Sequence, residues 1–141
     1  MADVFDKQTR SRVMSKVRGR DTKPELFVRR WLHRQGFRFR LHRADLPGKP
    51  DIVLPRYHSV VFVHGCFWHG HKGCSRSALP ASNRTYWETK IGRNIERDQR
   101  NLRRLRRQGW RVITLWECCL KEEQALEKRL RKFLIDSANA V

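Results

Sequence analysis

A small α/β sandwich on a mixed sheet is the fold class this 141-residue sequence predicts. Short apolar, β-branched runs alternate with longer stretches of helical periodicity, the pattern of strands and helices sharing one core. The helical stretches also carry start and stop residues at the expected offsets. A chain of this length buries a core without disulfide staples. No repeat, low-complexity tract or internal linker divides it, so residues 1–141 read as a single domain.

Residues 1–20 alternate basic and small residues and read as a basic arm that settles on a phosphate backbone. In "DTKPELFVRRWLHRQG", Thr22 is placed as N-cap, Pro24 in the first turn, Glu25 three residues after the cap and Gly36 as the stop. Leu26, Phe27, Trp31 and Leu32 lie at helical spacing and are expected in the core. "FRFRL" (37–41) alternates with period two, as a half-buried strand does. After the turn "LPGKP" (46–50), "DIVL" (51–54) and "SVVFV" (59–63) have the composition of central strands. Over 84–108, Ile91, Ile95, Leu102 and Leu105 form one helical stripe among many arginines, and Gly109 ends it. "WRVITLW" (110–116) is nearly continuous in apolar character, which predicts a strand buried on both faces. A last helix, about 120–135, turns Leu126, Leu130, Phe133 and Leu134 inward.

Charge narrows the function. Lys and Arg number 32 against 14 Asp and Glu, a net +18. So much uncompensated charge opposes compaction, and a polyanion that accepts it is the economical partner, nucleic acid above all. No run approaches the length of a membrane span, and the N-terminus lacks the apolar core of a secretory signal. A reducing cytoplasm is therefore expected, where Cys66, Cys74, Cys118 and Cys119 serve as metal ligands rather than disulfides.

"HGCFWHGHKGC" (64–74) concentrates the chemistry. Cys66, His71 and Cys74 fall within nine residues, a tight-loop spacing for structural zinc, which needs four tetrahedral ligands. Cys118 or Cys119 can supply the fourth; strand alternation says only that the two point to opposite sides. Asp51 opens a buried-looking strand after Pro50. Such a carboxylate is either solvated at a strand end or bound to a hard cation such as Mg²⁺, which sharpens a water for phosphodiester hydrolysis.

Taken together, "MADVFDKQTRS", "RDTKPE", "LPGKPDIVL", "VFVHGCFWHGHKGC", "WETKIGRNIERD" and "GWRVITLWEC" resemble the very short patch repair (Vsr) DNA endonuclease family, in order from residue 1 to about 135. The resemblance implies a restriction-endonuclease-like core and nicking of duplex DNA on the 5′ side of the thymine in a T·G mismatch, as left by deamination of 5-methylcytosine. It implies Asp51 and the Val63 carbonyl as Mg²⁺ ligands, His69 as acid/base group, and His64, Glu25 and Asp98 as its support. It implies zinc on Cys66, His71, Cys74 and Cys118, leaving Cys119 as a core residue. Phe67, Trp68 and Trp87 match aromatics that enter the base stack, Lys90 and Asn94 match contacts near the mismatched pair, and Met14 marks an arm gripping the other groove. A monomer in the bacterial cytoplasm, with mismatch-repair proteins as further partners, goes with it.

The same residues have plainer readings. Glu25 is equally the capping-box partner of Thr22. Asp98 can form a surface ion pair with Arg97 or Arg100, Trp87 can be core, and His64 can simply hydrogen-bond its loop. Phe67 and Trp68 are hard to bury together between ligands and are expected to be exposed. This chain also departs from the family pattern: the stretch from His71 to Cys74 is one residue longer, Gly70 and Gly73 replace bulkier residues, and Val63 replaces a small hydroxyl residue. Two other functions compete: a zinc-stabilised DNA-binding module without catalysis, and a restriction-type nuclease for matched DNA.

Overall fold

In a computed structural model, residues 22–139 are described. Helix α1 (Lys23–Arg34) starts where the caps place it: Thr22 is extended, and its hydroxyl accepts the Glu25 N–H at 3.3 Å. Gly36 ends it in the left-handed region, at φ +84°, where a residue with a Cβ is strained. Strands β1 (Arg40–Leu41), β2 (Ile52–Leu54) and β3 (Ser59–His64) come next, then helix α2 (Arg84–Arg107), strand β4 (Arg111–Trp116) and helix α3 (Glu123–Asn139). The predicted order of elements holds.

The sheet runs β1-β2-β3-β4 and is mixed. The first two pairings are antiparallel, and β4 is parallel to β3. Helix α2 is the long connection that a parallel pair requires. Alternation then assigns the faces. Ile52, Leu54, Val61, Ile113 and Leu115 pack with Val28, Trp31 and Leu32 of α1 and with Leu126, Leu130 and Leu134 of α3. The opposite-facing Val53 and Val60 pack with Leu46 and with Leu105 of α2. The result is a mixed α/β arrangement with helices on both sides of a four-stranded sheet.

Three expectations need correction. The strand over 37–41 pairs only at Arg40–Leu41, opposite Val53 and Ile52, because β2 turns away into a 3₁₀ turn at Pro55–Tyr57. Phe37 and Phe39 still pack on the core. Strand β4 is not buried on both faces: Ile113 and Leu115 on one face are, while Val112, Thr114 and Trp116 on the other are only half-buried beneath α2. In α1, Trp31 and Leu32 are in the core and the half-buried Phe27 packs against it as expected, but Val28 and Glu25 are the other buried positions and Leu26 is only half-buried. Among the described residues no helix is long and apolar enough to cross a membrane.

Candidate active site and metal centre

The register of the parallel pair sets His64 beside Trp116, at the carboxyl ends of β3 and β4. Both chain segments leave the sheet there, and the residues just beyond these two strand ends build much of both functional clusters.

The first cluster is sulfur-rich. One donor atom each from Cys66, His71, Cys74 and Cys118 lies within 4.8 Å of the others. Cys118 sits in the 3₁₀ turn Glu117–Lys121 directly after β4, and that turn, not strand alternation, selects it over Cys119. Cys119 is half-buried and is not part of the core clusters. The His71 Nδ1 is 3.4 Å from the Cys118 sulfur, and its ring stacks on Trp116 at 4.1 Å. Glu117 accepts the Cys66 N–H at 3.2 Å, and the Ser77 hydroxyl reaches the carbonyls of His71 and Cys74, each at 2.7 Å. Burial, with Cys66 and Cys74 close by, pushes the Cys118 thiol up to about 12. Burial also raises Cys66, whereas the backbone N–H of Arg76 lowers Cys74. Three sulfurs and an imidazole are the donor chemistry of a closed tetrahedral metal site.

The second cluster is oxygen- and nitrogen-rich. Asp51 stands immediately before β2, and its Oδ2 accepts the Val63 N–H at 2.7 Å. Burial raises the Asp51 carboxyl above the usual range, with the Val63 N–H opposing that shift. The peptide expected to face a cation at Val63 therefore lies against this carboxylate through its N–H. Glu25 is 2% exposed. Its carboxylate pairs with Arg29 and, at 3.1 Å, with His42.

Next to these, His69 and Asp98 form a dyad, Nδ1 to Oδ2 at 2.6 Å. An ionised carboxylate only accepts, so in this contact Nδ1 carries the proton and Nε2 has the lone pair that can take another. Arg97 reaches the other Asp98 oxygen only at 3.8 Å, so the surface ion pair is the minor partnership. The His64 ring stacks on His69, centroids 3.7 Å apart and nearly parallel. Burial, then the charge of His69, holds His64 down to about 3. Its Nδ1 is buried without a hydrogen-bond partner among the described residues. The stacked pair thus sets a neutral His64 imidazole against the His69 ring.

Glu25, Asp51, Val63, His64, His69 and Asp98 line a single cleft. Trp68, Lys90 and Asn94 line it too. Asn94 donates to the Trp68 carbonyl at 2.9 Å and so tethers the loop to α2. Phe67, Trp68 and Trp87 contact one another edge to face, with centroids 5.2–5.9 Å apart. All three are half-buried, which corrects both the expected exposure of Phe67 and Trp68 and the core reading of Trp87. Gly70 has φ +58°, and a Cβ there would stand 2.6 Å from Ile95 Cδ1 and 2.9 Å from Ile91 Cγ2, so a bulkier residue would be strained and would push these side chains aside. The arm of residues 1–20, with Met14, lies outside the described residues.

Reading the residues alone missed Arg29, His42, Glu117 and Trp116. His42 had a usable signal: it precedes the "LPGKP" turn, and in antiparallel strands around that turn it comes beside Asp51, whose carbonyl accepts its N–H at 3.2 Å.

Comparison with known proteins accords with this geometry. Residues 2–76 match the family described as DNA mismatch endonuclease Vsr. A "Type II nicking enzyme V.XorIIP" of Xanthomonas oryzae pv. oryzae is 52% identical over 95% of this chain and 98% of its own. "Type II nicking enzyme V.NmeAIP" of Neisseria meningitidis serogroup A is 45% identical over the whole of both chains. "DNA mismatch endonuclease Vsr" of Escherichia coli K12 is 45% identical over 95% of this chain and 88% of its own.

Proposed function

The chain belongs to the Vsr family of DNA mismatch endonucleases, and we propose that it nicks one strand of duplex DNA 5′ of the thymine in a T·G mismatch, using Mg²⁺ at Asp51 and a structural Zn²⁺. What supports this reading is one cleft that joins Asp51, the His69–Asp98 dyad and Trp68. The half-buried Asp51 carboxylate, raised by desolvation, fits a hard cation that would favour its ionised form. Asp51 and the Val63 carbonyl would hold that ion, and Cys66, His71, Cys74 and Cys118 would hold zinc.

When bound, Mg²⁺ supplies a polarised water and neutralises charge developing on the leaving oxygen. The chain's own residues do the rest. His69 takes the proton of the attacking water on Nε2, and Asp98 fixes the ring and stabilises its charged form. His64 stays neutral and keeps the stacked His69 in place. Glu25, paired with Arg29 and His42, adds negative charge beside Asp51.

Mismatch selection falls to the aromatic trio. A T·G wobble pair is displaced, so unstacking beside it costs less than at a Watson–Crick pair. Phe67, Trp68 and Trp87 enter the stack there, with Lys90 and Asn94 near the mismatched pair. Because Phe67 and Trp68 lie between Cys66 and His69, one segment couples sensing to the scissile phosphate. The core is of the restriction-endonuclease kind, residues 1–141 act as a single monomeric nuclease domain, and the arm with Met14 grips the opposite groove. The enzyme works in the bacterial cytoplasm, with mismatch-repair proteins as further partners.

A nicking assay on T·G duplexes with Mg²⁺ tests this. Asp51→Ala is expected to lower nicking by at least ~10³-fold, since the ion supplies much of the transition-state stabilisation, while mismatch binding persists. A wild-type protein that binds but never nicks is a zinc-stabilised binding module instead.

A further inference from the structure

One side chain without a role so far stands inside this cluster. His42 directly follows β1 in the left-handed region at φ 50°, a costly conformation for a residue with a Cβ. Its N–H donates to the Asp51 carbonyl at 3.2 Å. Its imidazole meets Glu25 Oε2 at 3.1 Å and is only 11% exposed. One donor atom each from Glu25, His42 and Asp51 lies within 4.8 Å of the other two. Donors on opposite sides of a single divalent ion stand about 4–5 Å apart. Three separate elements, α1, the end of β1 and the start of β2, thus converge on the dimensions of one ion. We propose that His42 is a nitrogen ligand to the divalent cation held at Asp51 and Glu25, and that it tilts this site toward Mn²⁺ relative to Mg²⁺. The inference rests on the reading of Asp51 as a cation ligand.

The chemistry of the donors gives it direction. Carboxylates and water suit Mg²⁺, which gives up its waters reluctantly, whereas an imidazole suits transition ions. Arg29 supports the placement. Its Nη2 contacts Glu25 Oε2 and lies 3.0 Å from His42 Nε2, so a cation of the chain already rests on two of the three donors. Arginine cannot shed its charge, so ion and guanidinium compete for these atoms. Were His42 only a counter-ion for Glu25, its removal would alter stability and leave ion preference unchanged.

Pulsed electron paramagnetic resonance of Mn²⁺ bound to the full-length, zinc-loaded protein decides the matter. The wild type is expected to show coupling to a directly bound imidazole nitrogen. His42→Gln is expected to lose that coupling, with Mn²⁺ affinity falling about tenfold, a usual cost of disturbing a metal's ligand shells, and Mg²⁺ affinity by calorimetry falling less. Absence of nitrogen coupling in the wild type overturns the inference, as does coupling that persists in His42→Gln. Should His42→Gln not fold, the coupling must survive in both His64→Phe and His69→Gln; its loss in either assigns the nitrogen elsewhere and refutes the role of His42. Asp51→Asn separates the two readings. If it binds Mn²⁺ as the wild type does, the cation role of Asp51 fails; if it abolishes binding while the wild type lacks nitrogen coupling, only the role of His42 fails.

Discussion

Two clusters interleave along the segment His64–Cys74 and are held in opposite ways. In the cysteine cluster, Cys66, His71, Cys74 and Cys118 converge as a donor set with the chemistry of a closed metal site. In the histidine cluster, protein groups do the holding: Asp98 on His69, Asn94 on the Trp68 carbonyl, and the stack of His64 on His69. Under the proposed reading the difference separates two tasks: rigidity would come from a closed knot of ligands around an ion, and reactivity from His69 and Asp51. Phe67 and Trp68 lie between Cys66 and His69, so one segment would link both clusters to DNA.

Breaking the knot should have the largest effect. Structural zinc contributes on the order of 10 kcal/mol to small folded sites. Cys66→Ser is therefore expected to lose bound zinc, lower the thermal midpoint by more than about 10 °C and abolish nicking; zinc analysis and calorimetry check this. An unchanged midpoint would show that protein contacts alone hold the loop.

Breaking the histidine cluster should leave the fold and slow the chemistry. Asp98→Asn keeps an oxygen that can accept from His69 but removes the carboxylate charge that would stabilise the protonated ring, and nicking is expected to drop about 10²-fold with the zinc content and thermal midpoint unchanged. If Asp98→Asn instead unfolds the protein, the division of tasks between the two clusters is wrong.

The smallest effect is acid sensitivity. His64 titrates at about 3 in the fold, against roughly 6.5 when unfolded. Between those values the unfolded chain binds a proton that the folded one does not. The stabilising contribution of a neutral His64 is thus complete above pH about 6.5 and is lost as pH falls toward 3. From pH 6.5 to 5 this amounts to roughly 2 kcal/mol. His64→Phe, which keeps a ring against His69, is expected to flatten that part of the pH–stability curve measured by urea unfolding. Parallel curves for the two proteins would contradict it.

Legibility in the sequence tracks the same divide. The knot was readable because three of its ligands fall within nine residues, and Thr22, Gly36 and the apolar runs marked α1 and the strands through local rules. What local rules do not carry is the meeting of distant segments. Glu25 looked like a capping residue because His42, which follows β1, meets it only in the folded chain; its other partner, Arg29, is an i,i+4 neighbour on α1 itself. Asp98 looked like a surface acid for the same reason: its partner His69 is 29 residues away. The choice between Cys118 and Cys119 turned on a short 3₁₀ turn with no strong sequence marker. β1 was cut short by Pro55 in its neighbour's continuation, not by anything in "FRFRL".

The most direct test is the ratio of nicking rates on T·G and T·A duplexes of identical flanks, measured for the wild type and for Trp68→Ala. A wild-type ratio far above one is expected. Trp68→Ala should reduce that ratio by about tenfold, the scale of one lost stacking contact, and more than it reduces non-specific affinity. Equal cutting of the two duplexes by the wild type, or a ratio untouched by Trp68→Ala, would contradict mismatch sensing by the aromatic segment.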